Sequence, residues 1–208
     1  LLKLFQSSQI KISIRFTELI LDRIKEIGLS PKNILDLGGS DGWSSNFIRK
    51  KINSNSTITV IDKNKNIIPV EDDITIHNIK YSEFTSEEKF DLVVSILGSP
   101  MDGIEDLYSC INRVLSDEGI VFLGLRISST SDYTRSLEIA NNLGFSYSSE
   151  FSERIIVFDE SLPFICLKRS DQKSTSNEKF IITRRGFFNL SEPRRVYGYE
   201  VDVISKFI

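Results

Sequence analysis

The chain has 208 residues, 40% of them hydrophobic and 26% charged, with a formal net charge of -3. That length suits one domain with a sizeable core and leaves room for an appendage, and the acidic balance argues against the strongly basic face of a general nucleic-acid binder. No apolar run approaches the roughly 18 residues of a membrane span. "LLKLF" at the start is too short for a secretory hydrophobic region.

In chain order, residues 1–15 form an N-terminal segment. "RFTELILDRIKEIG" then sets Phe16, Leu19, Ile20, Ile24 and Ile27 on one helical face, with Gly28 as C-cap. Short apolar strands alternate with helices from there. "NILDLG" leads into the helix "WSSNFIRKKI", and "TITVID", "ITIHNI", "FDLVVSIL" and "GIVFLGL" follow as strands. The helix "GIEDLYSCINRVL" separates the last two. After "SDYTRSLEIANNLG", a further helix, come "RIIVFD" and "LPFICLKR", joined by "ESLP" as an antiparallel hairpin. Near-continuous Val/Ile/Leu strands between helices predict an α/β fold with a mostly parallel sheet covered on both faces.

From residue 170 the pattern changes. "SDQKSTSNEK" is polar and aperiodic, a linker or loop, and the strand-like remainder contains Arg184, Arg185, Arg194 and Arg195. Residues 170–208 hold seven Lys/Arg and five Asp/Glu, a charge of +2 that leaves -5 on the rest. This C-terminal extension reads first as a solvated appendage and second as a surface for a partner or substrate. Cys110 and Cys166 lie in apolar-periodic segments and read as buried, reduced thiols, so a cytoplasmic setting is expected.

The stretch "NILDLGGSDGWSSNFI" carries the functional signal. A strand turning through glycines into a helix is the usual seat of a nucleotide-like ligand in an open α/β sheet. Gly38, Gly39 and Gly42 match G-x-G-x-x-G poorly, because Ser40 stands where a middle glycine would. Charge separates the candidate ligands. A pyrophosphate sits on the positive end of a helix, but Asp41 occupies or borders that end and Asp36 closes the strand. Two carboxylates repel a phosphate and suit a ligand bearing an ammonium and a sulfonium, which is S-adenosylmethionine. Asp62, 24 residues after Gly38, stands near the spacing at which a carboxylate accepts protons from ribose hydroxyls.

Taken in order, "ILDLGGSDG", "VIDKN", "KFDLVVSILGSP", "VLSDEGIVFLGL" and "LPFICLKR" resemble the class I S-adenosylmethionine-dependent methyltransferases over residues 16–169. The resemblance implies a Rossmann-like seven-stranded sheet, mostly parallel, with helices on both faces and an antiparallel C-terminal hairpin. Carried over by position, Asp36 and Gly38 would hold the methionine ammonium, Gly39 and Ser40 would line the loop, and Asp62 with Lys63 would meet the ribose. Tyr81 and Ser82 would lie beside adenine, and Ser95 and Ile96 would face the methionine. Trp43 reads as core packing rather than cofactor contact.

Methyl transfer from a sulfonium relies chiefly on alignment and exclusion of water, and needs a base only where the acceptor must lose a proton. His77, the single histidine, lies within a strand and reads as structural. Asp102 is a weak candidate base whose stronger role is helix N-cap. Arg126 is a weak candidate at the substrate rim, where Asp132 is also expected. No metal-binding cluster is visible. The Asp/Asn-Pro-Pro-aromatic motif of amino-directed nucleic-acid methyltransferases is missing from "SILGSPMDG", as is the Lys-Asp-Lys-Glu set of ribose methylation. The sequence therefore predicts a methyltransferase acting on oxygen or nitrogen of a small-molecule or other non-DNA acceptor. Two alternatives stay open: a non-catalytic binding or regulatory subunit with the same fold, and an RNA methyltransferase using the four arginines as a phosphate patch. A nicotinamide oxidoreductase is disfavoured by Asp41.

Overall fold

The computed structural model of the protein describes residues 2–97, 103–125, 130–148, 153–157, 160–169, 181–183 and 200–202. Helices α1 (Leu2–Glu26), α2 (Trp43–Ile52), α3 (Ile104–Val114) and α4 (Thr130–Asn142) alternate with strands β1 (Asn33–Leu37), β2 (Thr57–Ile61), β3 (Thr75–His77), β4 (Phe90–Ile96) and β5 (Leu115–Gly124). Strands β6 (Phe145–Tyr147), β7 (Glu153–Val157) and β8 (Glu160–Arg169) complete the main sheet. Two short antiparallel strands, β9 (Ile181–Thr183) and β10 (Glu200–Asp202), form a separate pair.

The main sheet runs β3-β2-β1-β4-β5-β8-β6, and β7 also pairs with β8. β1 to β5 are mutually parallel, whereas β8 is antiparallel to β5. β6 pairs with the C-terminal part of β8 and β7 with its N-terminal part. Eight segments therefore fill seven sheet positions, with the edge shared by β6 and β7. Alternation along each strand divides the core. Ile34, Leu92 and Val94 face α1 and α2 with Phe16, Ile20 and Ile48. Leu35, Leu37 and Val93 face α3 and α4 with Tyr108, Ile111 and Leu137. Helices thus cover both faces, as the apolar strands predict.

The expected helical face of α1 holds: Phe16, Ile20 and Ile24 are fully buried and Leu19 nearly so. Gly28 adopts φ 67° and ends the helix, with the Leu29 amide bonded to the Ile24 carbonyl. Four boundaries differ from expectation. α1 begins at Leu2 rather than Arg15; Ile12 extends its buried stripe one turn before Phe16, while Ile14 between them is exposed. β5 starts at Leu115, where Phe90 of β4 pairs with it ahead of a bulge. "ESLP" lies inside β8 and pairs with β7 rather than turning. β6, absent from the sequence reading, exists because three residues after α4 find an open edge on β8. Among the described residues no helix is long and apolar enough to cross a membrane.

Candidate functional site

Strand order reverses between β1 and β4, since β2 and β3 extend one way from β1 and β5 the other. Ligands of open α/β sheets bind at such a point, beyond the carboxyl ends of the strands. A cavity of about 540 Å³ opens there. Its floor is Asp36, Gly38, Gly39, Ser40 and, from the end of β4, Ile96. Its far side is Ile10, Ser13 and Ile14 of α1 with Trp43 and Ser44 of α2, and Asp41 lies between.

Asp36 is the unusual group. It is 1% exposed, and neither carboxylate oxygen has a hydrogen-bond partner. Burial pushes its pKa up to about 7, with the negative Asp62 and Asp41 adding to the rise. Ser45 tempers the rise, but its hydroxyl donates to the Gly42 carbonyl at 3.1 Å. A buried carboxylate without donors carries a large desolvation cost. Gly39 is required beside it, because a Cβ there would fall on the Asp36 carboxylate.

The turn over this carboxylate is held in left-handed backbone. Gly38 has φ 73°, Ser40 φ 52° and Gly42 φ 78°. Ser40 and Leu97, which follows Ile96, are the two non-glycine residues with positive φ among those described. For such residues this conformation costs about 1–2 kcal/mol, and strain of this kind gathers at ligand sites. Asp62, half-buried at the end of β2, accepts the Ser40 amide at 3.1 Å and the Asn64 amide at 2.9 Å. Asp41 accepts the Trp43 amide at 3.1 Å. The start of α2 therefore already faces a carboxylate of the chain itself, as the charge argument requires.

No family model matches the chain, and no curated protein matches it. Solved structures do. A Methanococcus maripaludis protein assigned as an S-adenosyl-L-methionine-dependent methyltransferase superposes with TM-score 0.59 at 18% identity, over 82% of this chain and 92% of that one. The Burkholderia thailandensis 1,6-didemethyltoxoflavin-N1-methyltransferase, solved with 1,6-didemethyltoxoflavin and S-adenosylhomocysteine, gives 0.58 at 14% identity over 76% and 79%. The ribosomal protein L11 methylase of Lactobacillus delbrueckii subsp. bulgaricus gives 0.57 at 15% identity over 76% and 79%. The chain has the class I methyltransferase fold.

Within that methyltransferase fold the expected cofactor residues divide. Asp36, Gly38, Gly39, Ser40 and Ile96 come together around the cavity, and Asp62 joins them through the Ser40 amide. Ser95 does not face it: fully buried, its hydroxyl donates to the Leu37 carbonyl at 2.8 Å and ties β4 to β1. Strand alternation leaves Ile96 on the cavity instead. Tyr81 is 6% exposed and packs in the core, at the start of a short 3-10 turn, while Ser82 and Lys63 are exposed outside the cavity lining. The Arg113 guanidinium holds that turn through the Tyr81 and Phe84 carbonyls.

Trp43 corrects the sequence reading. It is 41% exposed and lines the cavity rather than packing in the core. Ile10, Ser13 and Ile14 are site residues that the sequence analysis does not single out; their i, i+3, i+4 spacing is the available signal, and it falls before Arg15, ahead of the expected helix start. His77 is exposed at the end of β3, its ring 5.4 Å from that of Phe84. Gly103 takes the N-cap of α3 expected for Asp102. Asp102 itself lies outside the described residues, as do Arg126, Arg184, Arg185, Arg194 and Arg195 and the side chain of Asp132.

Proposed function

We propose that this protein binds S-adenosylmethionine over the ends of β1 and β4 and transfers its methyl group to an oxygen or nitrogen of a small-molecule, non-DNA acceptor. The observation that carries the reading is Asp36: a buried carboxylate with both oxygens unpartnered beneath a glycine turn at the switch point of this fold. An ammonium fits that vacancy of donors, and a phosphate does not. Gly39 leaves the approach open, since any Cβ there would fill it. Asp62 keeps spare acceptor capacity for ribose hydroxyls while its two amide bonds fix its direction.

S-adenosylmethionine, when bound, supplies a methyl group on a good, neutral leaving group. The chain's own contribution is to align and to exclude water, through the α1 and α2 walls of the cavity. The described lining holds carboxylates but no histidine, lysine or arginine. Acceptors whose lone pair is free at neutral pH therefore suit it best. Titration calorimetry of the full chain with S-adenosylhomocysteine and with NAD at pH 8 tests the cofactor. Saturable heat with the first and none with the second is expected. The reverse, or no heat with either, overturns the reading.

A further inference from the structure

We propose that the part of the cavity between α1 and α2 seats the methyl acceptor, and that this acceptor is a flat aromatic molecule carrying no negative charge. The proposal rests on the methyltransferase reading above and adds the class of substrate. Five large hydrophobic residues are exposed among those described, and three of them, Ile10 at 60%, Ile14 at 38% and Trp43 at 41%, line this one cavity. Exposed apolar surface gathered in a concave site, rather than scattered singly, marks a binding surface.

The two walls are chemically different and fixed with respect to each other. On α2, the Trp43 ring stacks on Phe47, with centroids 5.6 Å apart and planes at 23°. Phe47 in turn has the Lys51 ammonium 5.8 Å from its centroid. The rest of the indole is open to the cavity, a prepared surface for another ring. On α1, Ile10 and Ile14 stand one turn apart as an aliphatic wall. The Thr17 hydroxyl joins the helices through Ser44 at 3.1 Å. A thin, flat molecule fits between an aromatic plane and an isoleucine wall. Charge narrows the class further: with the cofactor ammonium on Asp36, Asp41 is the charged residue left in the described lining. Anions are repelled there, whereas neutral rings are accepted and cationic rings gain attraction to the indole. Phosphate-bearing acceptors are disfavoured at this mouth for the same reason.

The test uses the single tryptophan of the chain, whose emission reports this cleft alone. Full-length protein saturated with S-adenosylhomocysteine is titrated with quinoline, with decahydro-2-naphthol as the saturated, non-planar, uncharged control, and with quinoline-2-carboxylate as the anionic one. Quinoline is expected to quench Trp43 saturably and to bind at least fivefold more tightly than either control. Equal affinities, or no quenching in protein that binds S-adenosylhomocysteine, overturn the proposal and leave the cofactor reading intact. Quenching by quinoline in protein that shows no S-adenosylhomocysteine heat keeps the cleft and removes the cofactor reading. Ile10→Glu, at an exposed position, should weaken quinoline at least tenfold more than it weakens S-adenosylhomocysteine; equal losses overturn the assignment. Concentration-dependent Trp43 emission in ligand-free protein, the sign of a second copy seated on the patch, also overturns it.

Discussion

Asp36, next to last in β1, and Asp62, just past the end of the neighbouring parallel strand β2, are one residue type offset in register, yet their surroundings are opposite. Asp62 is half-buried and already accepts two backbone amides. Asp36 is sealed from water, has only Ser45 beside it to temper its charge, and burial pushes its pKa up to about 7. The satisfied carboxylate is a shaped hydrogen-bond acceptor, ready for a neutral partner such as a ribose. The unsatisfied one costs the empty protein stability, and a cation would relieve it. Under the proposed function, Asp62 would orient the ligand and Asp36 would select it by charge.

The largest effect expected comes from erasing the charge. Asp36 has its folded pKa raised from the ordinary carboxylate value, so the folded state binds the extra proton. The contribution of Asp36 to stability is therefore most favourable below about pH 4, falls as pH rises toward 7, and stays low above it. Asp36→Asn should make the ligand-free protein more stable at pH 8 by on the order of 3 kcal/mol, while weakening S-adenosylhomocysteine severely. Urea denaturation at pH 8 and pH 5 checks this, and an Asp36→Asn protein less stable at pH 8 would break the contrast. In the native protein, S-adenosylhomocysteine affinity should fall by up to tenfold per pH unit below 7. A flat profile would mean the ammonium does not meet Asp36.

Gly39→Ala sharpens the same contrast from the neighbouring position. The new methyl group must displace the Asp36 carboxylate, at about 2–3 kcal/mol by the usual cost of overpacking. Unchanged stability would mean the turn has room to spare. Asp62→Ala should weaken S-adenosylhomocysteine by about 1–3 kcal/mol, and unlike Asp36→Asn it should not stabilise the empty protein. Calorimetry and urea denaturation on the same sample give both readings. The smallest effect belongs to Ser40→Gly. Relief of a left-handed conformation and the added freedom of the unfolded chain nearly cancel, so stability should stay within about 0.5 kcal/mol. A much larger gain would mean the Ser40 amide bond to Asp62 holds more strain than its φ implies.

Much of this arrangement was readable from sequence. β1, β2, β4, α2 and α3 carry the period of their own element, and the glycine turn with its acidic neighbours located the cavity floor. What escaped depends on contacts between distant segments. The first half of α1 is polar between Ile10, Ile12 and Ile14, and only packing against α2 shows which face is covered. β6 is too short to signal itself and exists through its partner. Ser95 and Ile96 are adjacent, and only the register with β1 decides which one meets a ligand. The isolation of Asp36 could not be read either, because it turns on Ser45 giving its hydroxyl to Gly42 instead.

Gly124, the register partner of the cavity-lining Ile96, has a consequence for the helix that walls the site. A Cβ there would come within 2.7 Å of the Phe16 ring, so the missing side chain lets α1 lie flush on β5. The same helix carries Ile14 about half a turn and Ile10 nearly two turns before Phe16. The seat of α1 beside Trp43 is thus set from inside the fold, and one methyl group added at Gly124 would have to shift that helix, and with it the wall that meets thin guests.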